Sequence, residues 1–409
     1  MDQGRRALFN AAFTPELHAR YAADLERRVG APVDFRLAET PLFLTDDFRE
    51  RCLRAAREIV AQLSEPQRLR CMQAAVPARW DAPNQSPLPN VAVVDFAVAL
   101  DLRGSFVPRV VELQGFPSLL AFEVLQLDAW NAALAAMPGC EGPWTSWFAG
   151  SDRAAFLDLT RRTIVGACDP SLVALVDFEP ERQKTYCDFA ATKLLFGVDS
   201  VCVTALRKRG RRLFRTDARG REVPLERIYW RVIIDEVERK GIELPFDLRD
   251  ELDVEWVPHP NWFWIWSKYS LAFLDHPAVP HTRLLSEIVG LPADLATRYV
   301  LKPLFSFAGA GVNVAPTAAD VAAIPASQRS GWCLQERIDY APALRAPDDD
   351  ADPVKAEIRM MFVAGEQPGT LEPVTNLCRL SRGSMHGVDY NKDRTWVGSS
   401  IGIWPARLD

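Results

Sequence analysis

The feature that most constrains this chain is a pair of strands joined by a short turn. Asn90–Leu100 is apolar except for Asn90 and Asp95, and it is rich in Val with a central Phe. That composition favours a β-strand over a helix. Asp101-Leu102-Arg103-Gly104-Ser105 carries turn residues, and Phe106 to Leu113 reads as the returning strand. If the turn centres between Arg103 and Gly104, Asp95 faces Glu112 directly across the pair. Like charges placed opposite each other destabilise a sheet unless something compensates them. A divalent cation held by oxygen ligands is one such compensation. Gln114, two residues beyond Glu112, shares its face. A wider turn would shift the register and leave one carboxylate solvated.

Around this pair the chain alternates helical and strand-like patterns. Phe48, Cys52, Ala56, Ile59, Val60 and Leu63 recur at helical spacing, Thr45-Asp46-Asp47 supplies a start, and Pro66 marks the exit. The Pro-rich stretch 77–89 reads as a boundary loop. After the strand pair, a helix-like segment runs from Leu119 to about Ala136. From Ser171 the texture is β/α: strand Leu172–Asp177, helix Glu181–Phe196 stopped by Gly197, strand Ser200–Leu206, and strand Arg227–Val232. An aromatic helical segment follows Pro258, through Trp264, Trp266 and Lys268 to Phe273. The last third, from Tyr299 onward, is strand-rich. Interleaved strands and helices indicate an α/β or α+β architecture.

Composition narrows the class. The 409 residues, with 48% apolar and 25% charged, predict two or three domains and exclude disorder. The 48 Lys+Arg against 54 Asp+Glu give a net charge of −6, which argues against nucleic acid as the principal partner. The basic run Arg207–Arg212 reads as a solvated hairpin turn between apolar strands. No apolar run approaches the roughly 18–20 residues of a membrane span, and the apolar piece at 7–9 is too short for a signal-peptide core. The eight cysteines form no Cys-x-x-Cys pair, so reduced thiols and a cytoplasmic setting are expected, without a zinc site.

Several segments carry chemistry-bearing residues. In Tyr299–Val314 a strand delivers Lys302 and a loop with Gly309 and Gly311 leads to another strand. Glycines let backbone N–H groups approach phosphate oxygens, and a lysine adds charge. The pattern is neither a Walker A loop nor a dinucleotide fingerprint, and a plain glycine hairpin would also explain it. Trp332–Ile338 is a short apolar strand running into Gln335-Glu336, an edge that can offer backbone groups to a flat purine, and a plain core strand explains it equally well. Ala356–Glu366 alternates Glu357 and Arg359 on one face, where buried charges need partners. Lys268 lies inside the aromatic segment, and Trp262–Trp266 reads as packed core more readily than as a nucleotide wall.

In that order, these segments resemble the circularly permuted ATP-grasp superfamily, as in glutathionylspermidine synthetase-like and related bacterial proteins. Asp95 and Glu112-Leu113-Gln114 look like its metal segment, Ser267-Lys268 and Leu301-Lys302-Pro303 its two ATP lysines, and Gln335-Glu336 its adenine-side hinge. Glu179–Gln183 and Ile228–Arg231 resemble its intervening domain. The likeness spans roughly residues 90–390. Gln114 stands where the family has Asn, and the loop lacks the Arg or Glu of many relatives.

The resemblance implies an α+β, permuted ATP-grasp fold with mixed sheets and flanking helices. It implies a helical region at 1–85, a metal-binding strand pair and helix at 86–165, a pre-ATP-grasp-like domain at 166–260, and a nucleotide-binding subdomain at 261–409. The implied activity is a Mg²⁺- and ATP-dependent ligase joining a small-molecule carboxylate to an amine through an acylphosphate. Asp95, Glu112 and Gln114 would hold metal. Lys268, Lys302, Ser306, Gly309, Gly311, Gln335 and Glu336 would hold ATP, and Arg231 and Arg359 would meet substrate or phosphate. Arg382 and the arginines of 207–231 suit an acidic amino acid or peptide. A nucleotide-binding protein that has lost catalysis, and a phosphotransferase, are the rival readings.

Overall fold

The computed structural model describes residues 1–148, 151–306, 309–347, 353–383 and 393–406. Three helices open the chain: α1 (Gln3–Ala12), α2 (Pro15–Val29) and α3 (Asp46–Leu63). The Thr14 side chain caps α2, and Gly30 ends it in the left-handed region. All six apolar positions at helical spacing in α3 are buried. Pro66 ends nothing by itself: it opens a further short helix, Pro66–Met72, as its first residue, where a missing N–H costs no bond.

Strands β1 (Val91–Leu100) and β2 (Phe106–Gln114) form the expected antiparallel pair, followed by helix α4 (Phe122–Leu134). Asp95 does face Glu112, but the turn is not centred as the sequence suggested. Near the turn Leu100 faces Phe106 and Phe96 faces Val110, a register that would bring Val111 opposite Asp95. A β-bulge at Val111 inserts one residue and restores the carboxylate pair. Bulges bend a strand and free ladder groups, and here the Val111 carbonyl becomes available to another element.

Next comes a four-stranded parallel sheet of β3 (Val173–Asp177), β4 (Asp199–Cys202), β5 (Arg227–Trp230) and β6 (Glu255–Val257) in the order β6-β5-β3-β4. Its helix α5 (Tyr186–Phe196) starts later than expected, because Pro180–Arg182 forms a separate 3₁₀ turn. Strand β4 is cut short by another such turn at Val203–Ala205. The basic run is indeed a hairpin turn, with Gly210 left-handed at its tip. Its cations pair with Glu222, Asp250, Glu251 and Asp253.

Strands β7 (Thr282–Leu284), β8 (Tyr299–Pro303) and β9 (Trp332–Glu336) make a small antiparallel sheet, order β7-β9-β8. Among the described residues the strand expected directly after the glycine loop does not form; Asn313 makes an isolated bridge to Leu301. Finally β10 (Lys355–Ala364), β11 (Leu371–Ser381) and β12 (Gly398–Ser400) join the first strand pair in a five-stranded antiparallel sheet, β12-β11-β10-β1-β2. Residues more than 250 positions apart in sequence thus become neighbours, with Arg359 facing Asp95. Helices α1–α4 share one continuous core with this sheet, Tyr21 stacking on Trp130 at 3.8 Å. The parallel sheet turns Val173, Leu175, Tyr229 and Val257 into that core and Ala174, Val176, Ile228 and Trp230 into a second one, and the small sheet has two minor ones. The molecule is a mixed α+β fold of several sheets with flanking helices. Among the described residues no helix is long and apolar enough to cross a membrane.

Candidate functional site

A cavity of about 470 Å³ opens between the five-stranded sheet and the small sheet. Its volume falls in the ordinary range for small-molecule sites, roughly 300–1,000 Å³. Strand β8 is apolar apart from its first residue and Lys302, and its alternation turns Val300 and Lys302 to the cavity. Lys302 is buried, and its Nζ donates to Gln335 Oε1 at 2.5 Å and to the Val111 carbonyl at 3.3 Å. The bulge that sets the carboxylate pair therefore also supplies an acceptor for this lysine. Burial pushes the Lys302 ammonium below its ordinary range, against the opposing pull of Cys333 and Glu112.

Lys268 reaches the same place from a different element. The aromatic segment is not one helix: Trp262–Ile265 is a single helical turn, the chain breaks at Trp266, and a 3₁₀ helix starts at Lys268. Ser267 and Ser270 cap that start reciprocally. Trp262, Trp264 and Trp266 are all buried, so the aromatics are core. Gly115 presses on this segment. A Cβ there would lie 2.3 Å from the Trp262 carbonyl oxygen, and its N–H donates to the Trp266 carbonyl at 2.8 Å. This contact sews the end of β2 to the turn carrying Lys268. The Lys268 Nζ lies 3.6 Å from Glu112 Oε2 and donates to the Ser306 carbonyl.

The loop after β8 turns back on left-handed Gly309 and Gly311. Residues 307 and 308 of that loop lie outside the described residues. Gly309, Val312 and Val314 line the cavity. On β9 the Gln335 amide points inward, holding Lys302 on one side and Thr282 on the other. Glu336 also lines the cavity while pairing with Arg298 at 3.1 Å.

The acidic pair divides in two. Asp95 is wholly buried, and Arg359 grips both its oxygens at 2.7 and 2.6 Å. Arg379 adds a third bond at 2.7 Å. Glu112 instead lines the cavity and accepts from the Gln114 amide at 2.7 Å. Burial alone would raise the Glu112 carboxyl. The surrounding Lys268, Arg379, Arg359 and Lys302 override that and hold it at about 2. The three proposed metal ligands do not assemble: both Asp95 oxygens are engaged by guanidinium groups, and Gln114 turns an N–H toward Glu112. Among the described residues no group of three or more His, Cys, Asp or Glu is placed to hold a metal ion. The like-charge problem of the strand pair is solved by arginines.

The two arginines expected at the chemistry are placed differently from that expectation. Arg359 acts on Asp95 and comes no closer to Glu112 than 3.8 Å. Arg231 pairs with buried Asp188 at 2.7 Å, and Asp188 also accepts from the N–H groups of Leu119, Ala121 and Phe122. That cluster ties α5 to the start of α4, and Arg231 does not line the cavity. Arg382 donates to the Thr395 carbonyl. Sequence reasoning missed Arg379, Lys355 and Tyr340, which do line it. Arg379 gave no such signal as Asp95 did, because its strand also carries Glu372, Thr375, Asn376 and Ser381.

Among solved structures the chain is similar to a glutathione synthetase-like effector from Globodera pallida. The TM-score is 0.55 at 10% identity, over 96% of this chain and 97% of that one. No family model and no curated protein matches the sequence. The class this defines is structural: a mixed α+β protein sharing its fold, nearly end to end, with that effector.

Proposed function

We propose that the chain is an ATP-dependent carboxylate–amine ligase of ATP-grasp type in its circularly permuted form. One observation carries the reading. Two buried lysines from separate elements, Lys268 and Lys302, converge beside the ionised Glu112 in a cavity also lined by Val300, Val312 and Val314. A site that buries two lysines beside apolar walls suits an anionic ligand with a flat apolar part, which describes a purine nucleoside triphosphate. The fold shared with a glutathione synthetase-like protein supports the same class. The order along the chain, with the Asp95–Glu112 strand pair before both lysines, is the permuted order.

Lys268 and Lys302 would hold the phosphates, the 335–339 edge would meet the base, and the Gly309–Gly311 turn would offer N–H groups. Bound ATP supplies a phosphoryl group able to turn a carboxylate into an acylphosphate. The chain contributes positioning and fixed positive charge. Lys268 donates to the Ser306 carbonyl, a bond that a bound phosphate would compete with. The residues do not form a metal centre, and magnesium, on this reading, arrives with the nucleotide. The acceptors are a small-molecule carboxylate and an amine, in the cytoplasm.

Lys302→Ala and Glu112→Ala should each abolish ATP-dependent phosphate release across a panel of acids and amines, with an unchanged circular dichroism spectrum. Full activity in either variant would sink the ligase reading. The engagement of Asp95 favours one second reading, a nucleotide-binding protein without turnover. Saturable nucleotide binding with no product from any acid–amine pair would decide for it. Product mass separates an amide from the phosphate ester of a phosphotransferase.

A further inference from the structure

The arginines that seal Asp95 point to more than charge balance. Arg379 is bonded to one carboxylate and lies beside a second. Its Nη2 bonds Asp95, and its Nε lies 3.4 Å from Glu357 Oε2, while Glu357 in turn accepts from the Tyr340 hydroxyl at 2.6 Å. The side chain nonetheless keeps 27% of its surface exposed and lines the cavity that holds Lys268, Lys302 and Glu112. Such a guanidinium is always charged, tethered through one nitrogen and open on one side, an arrangement suited to recognising phosphate.

The local charge points the same way. Lys268, Lys302, Arg359 and Arg379 gather around three carboxylates, Asp95, Glu112 and Glu357. The cluster therefore carries a surplus positive charge before any ligand enters. A divalent ion coming to Glu112 would meet Arg359 and Lys268 within 4 Å of the same carboxylate. An anion entering the cavity would be attracted by all four cations.

We propose that Arg379, bonded to Asp95 and paired electrostatically with Glu357, occupies the role of a protein-bound divalent ion. It meets the terminal phosphates of the nucleotide directly, and the only divalent ion in the complex is the one the nucleotide carries. The inference rests on the nucleotide reading above, and it holds whether or not the protein turns the nucleotide over. It assigns Asp95 and Glu357 as positioning residues that act through Arg379.

The test uses the full chain and the nonhydrolysable analogue AMP-PNP. Calorimetry gives the affinity with magnesium and with EDTA, and manganese EPR counts bound ions with and without the analogue. The expected result is one manganese ion per bound nucleotide and none on the protein alone. EDTA should weaken binding less than Arg379→Gln does. Arg379→Gln should lower affinity by about 30-fold or more, and Arg379→Lys should recover part of it. Two manganese ions per nucleotide, or an unchanged affinity in a folded Arg379→Gln protein, would overturn the proposal. If that variant does not fold, the ion count on the wild-type protein still decides. Absence of AMP-PNP binding under every condition would remove the nucleotide reading itself, and this inference with it.

Discussion

Two buried arginine–aspartate pairs, in different regions, use the same chemistry for different ends. In the region of the parallel sheet, Arg231 and Asp188 are both buried, and Asp188 spends its remaining capacity on three backbone N–H groups. At the five-stranded sheet, Asp95 is equally buried, yet its partner Arg379 keeps part of its surface in the cavity. The first pair fastens α4 to α5 and has nothing left for a ligand. The second presents a fixed cation. What separates a structural ion pair from a binding one here is the exposure of the cation, since the anion is sealed in both.

The sharpest way to break this comparison is Asp188→Ala. It removes the carboxylate hydrogen-bonded to Arg231 and leaves three backbone donors unpaired, so unfolding in denaturant should show a loss of about 3–5 kcal/mol. AMP-PNP affinity of the folded protein should be unchanged, since neither residue lines the cavity. A large affinity loss in that variant would erase the distinction between the two regions.

A smaller effect is expected at Glu112. Its carboxyl lies at about 2 in the folded protein, below its ordinary value of about 4.3 when unfolded. A depressed folded value means that its stabilisation is fully present above the ordinary value and is lost as pH falls through that window. Glu112→Gln should therefore flatten the fall in stability between about pH 4.3 and 2. An identical acid limb in the two proteins would show that the surrounding cations do not hold this carboxylate. The smallest effect belongs to the basic hairpin. Arg211 is exposed and pairs only with Glu251 and Asp253 at the surface, so Arg211→Ala should leave the melting curve unchanged within error. A clear shift would give that hairpin a role beyond solvation.

Much of the local structure was legible from periodicity and turn chemistry. The α3 core positions, the β1–β2 pair, strand β8 and the solvated hairpin all follow from patterns contained in a single short window. The Asp95–Glu112 juxtaposition was also anticipated, though from a turn position that the structure corrects. The hairpin closes one residue differently, and the Val111 bulge compensates. Nothing in the local sequence announces that bulge, because its stabilisation comes partly from Lys302, nearly two hundred residues away. Arg231 and Arg359 were both expected at substrate or phosphate, because a sequence shows which charges will be buried and not which partner each will find.

By itself, the sequence determined which residues would be removed from water and on which kind of element. Charges set in largely apolar strands, at Asp95, Glu357 and Arg359, had to be compensated, since an isolated buried charge is too costly to keep. The tertiary structure decided how. It laid β10 and β11 beside β1, so that arginines from the far end of the chain reached Asp95 first and left Glu112 facing the cavity. Strand pairing across such a distance is set by the packing of whole sheets, and no local window of residues contains it.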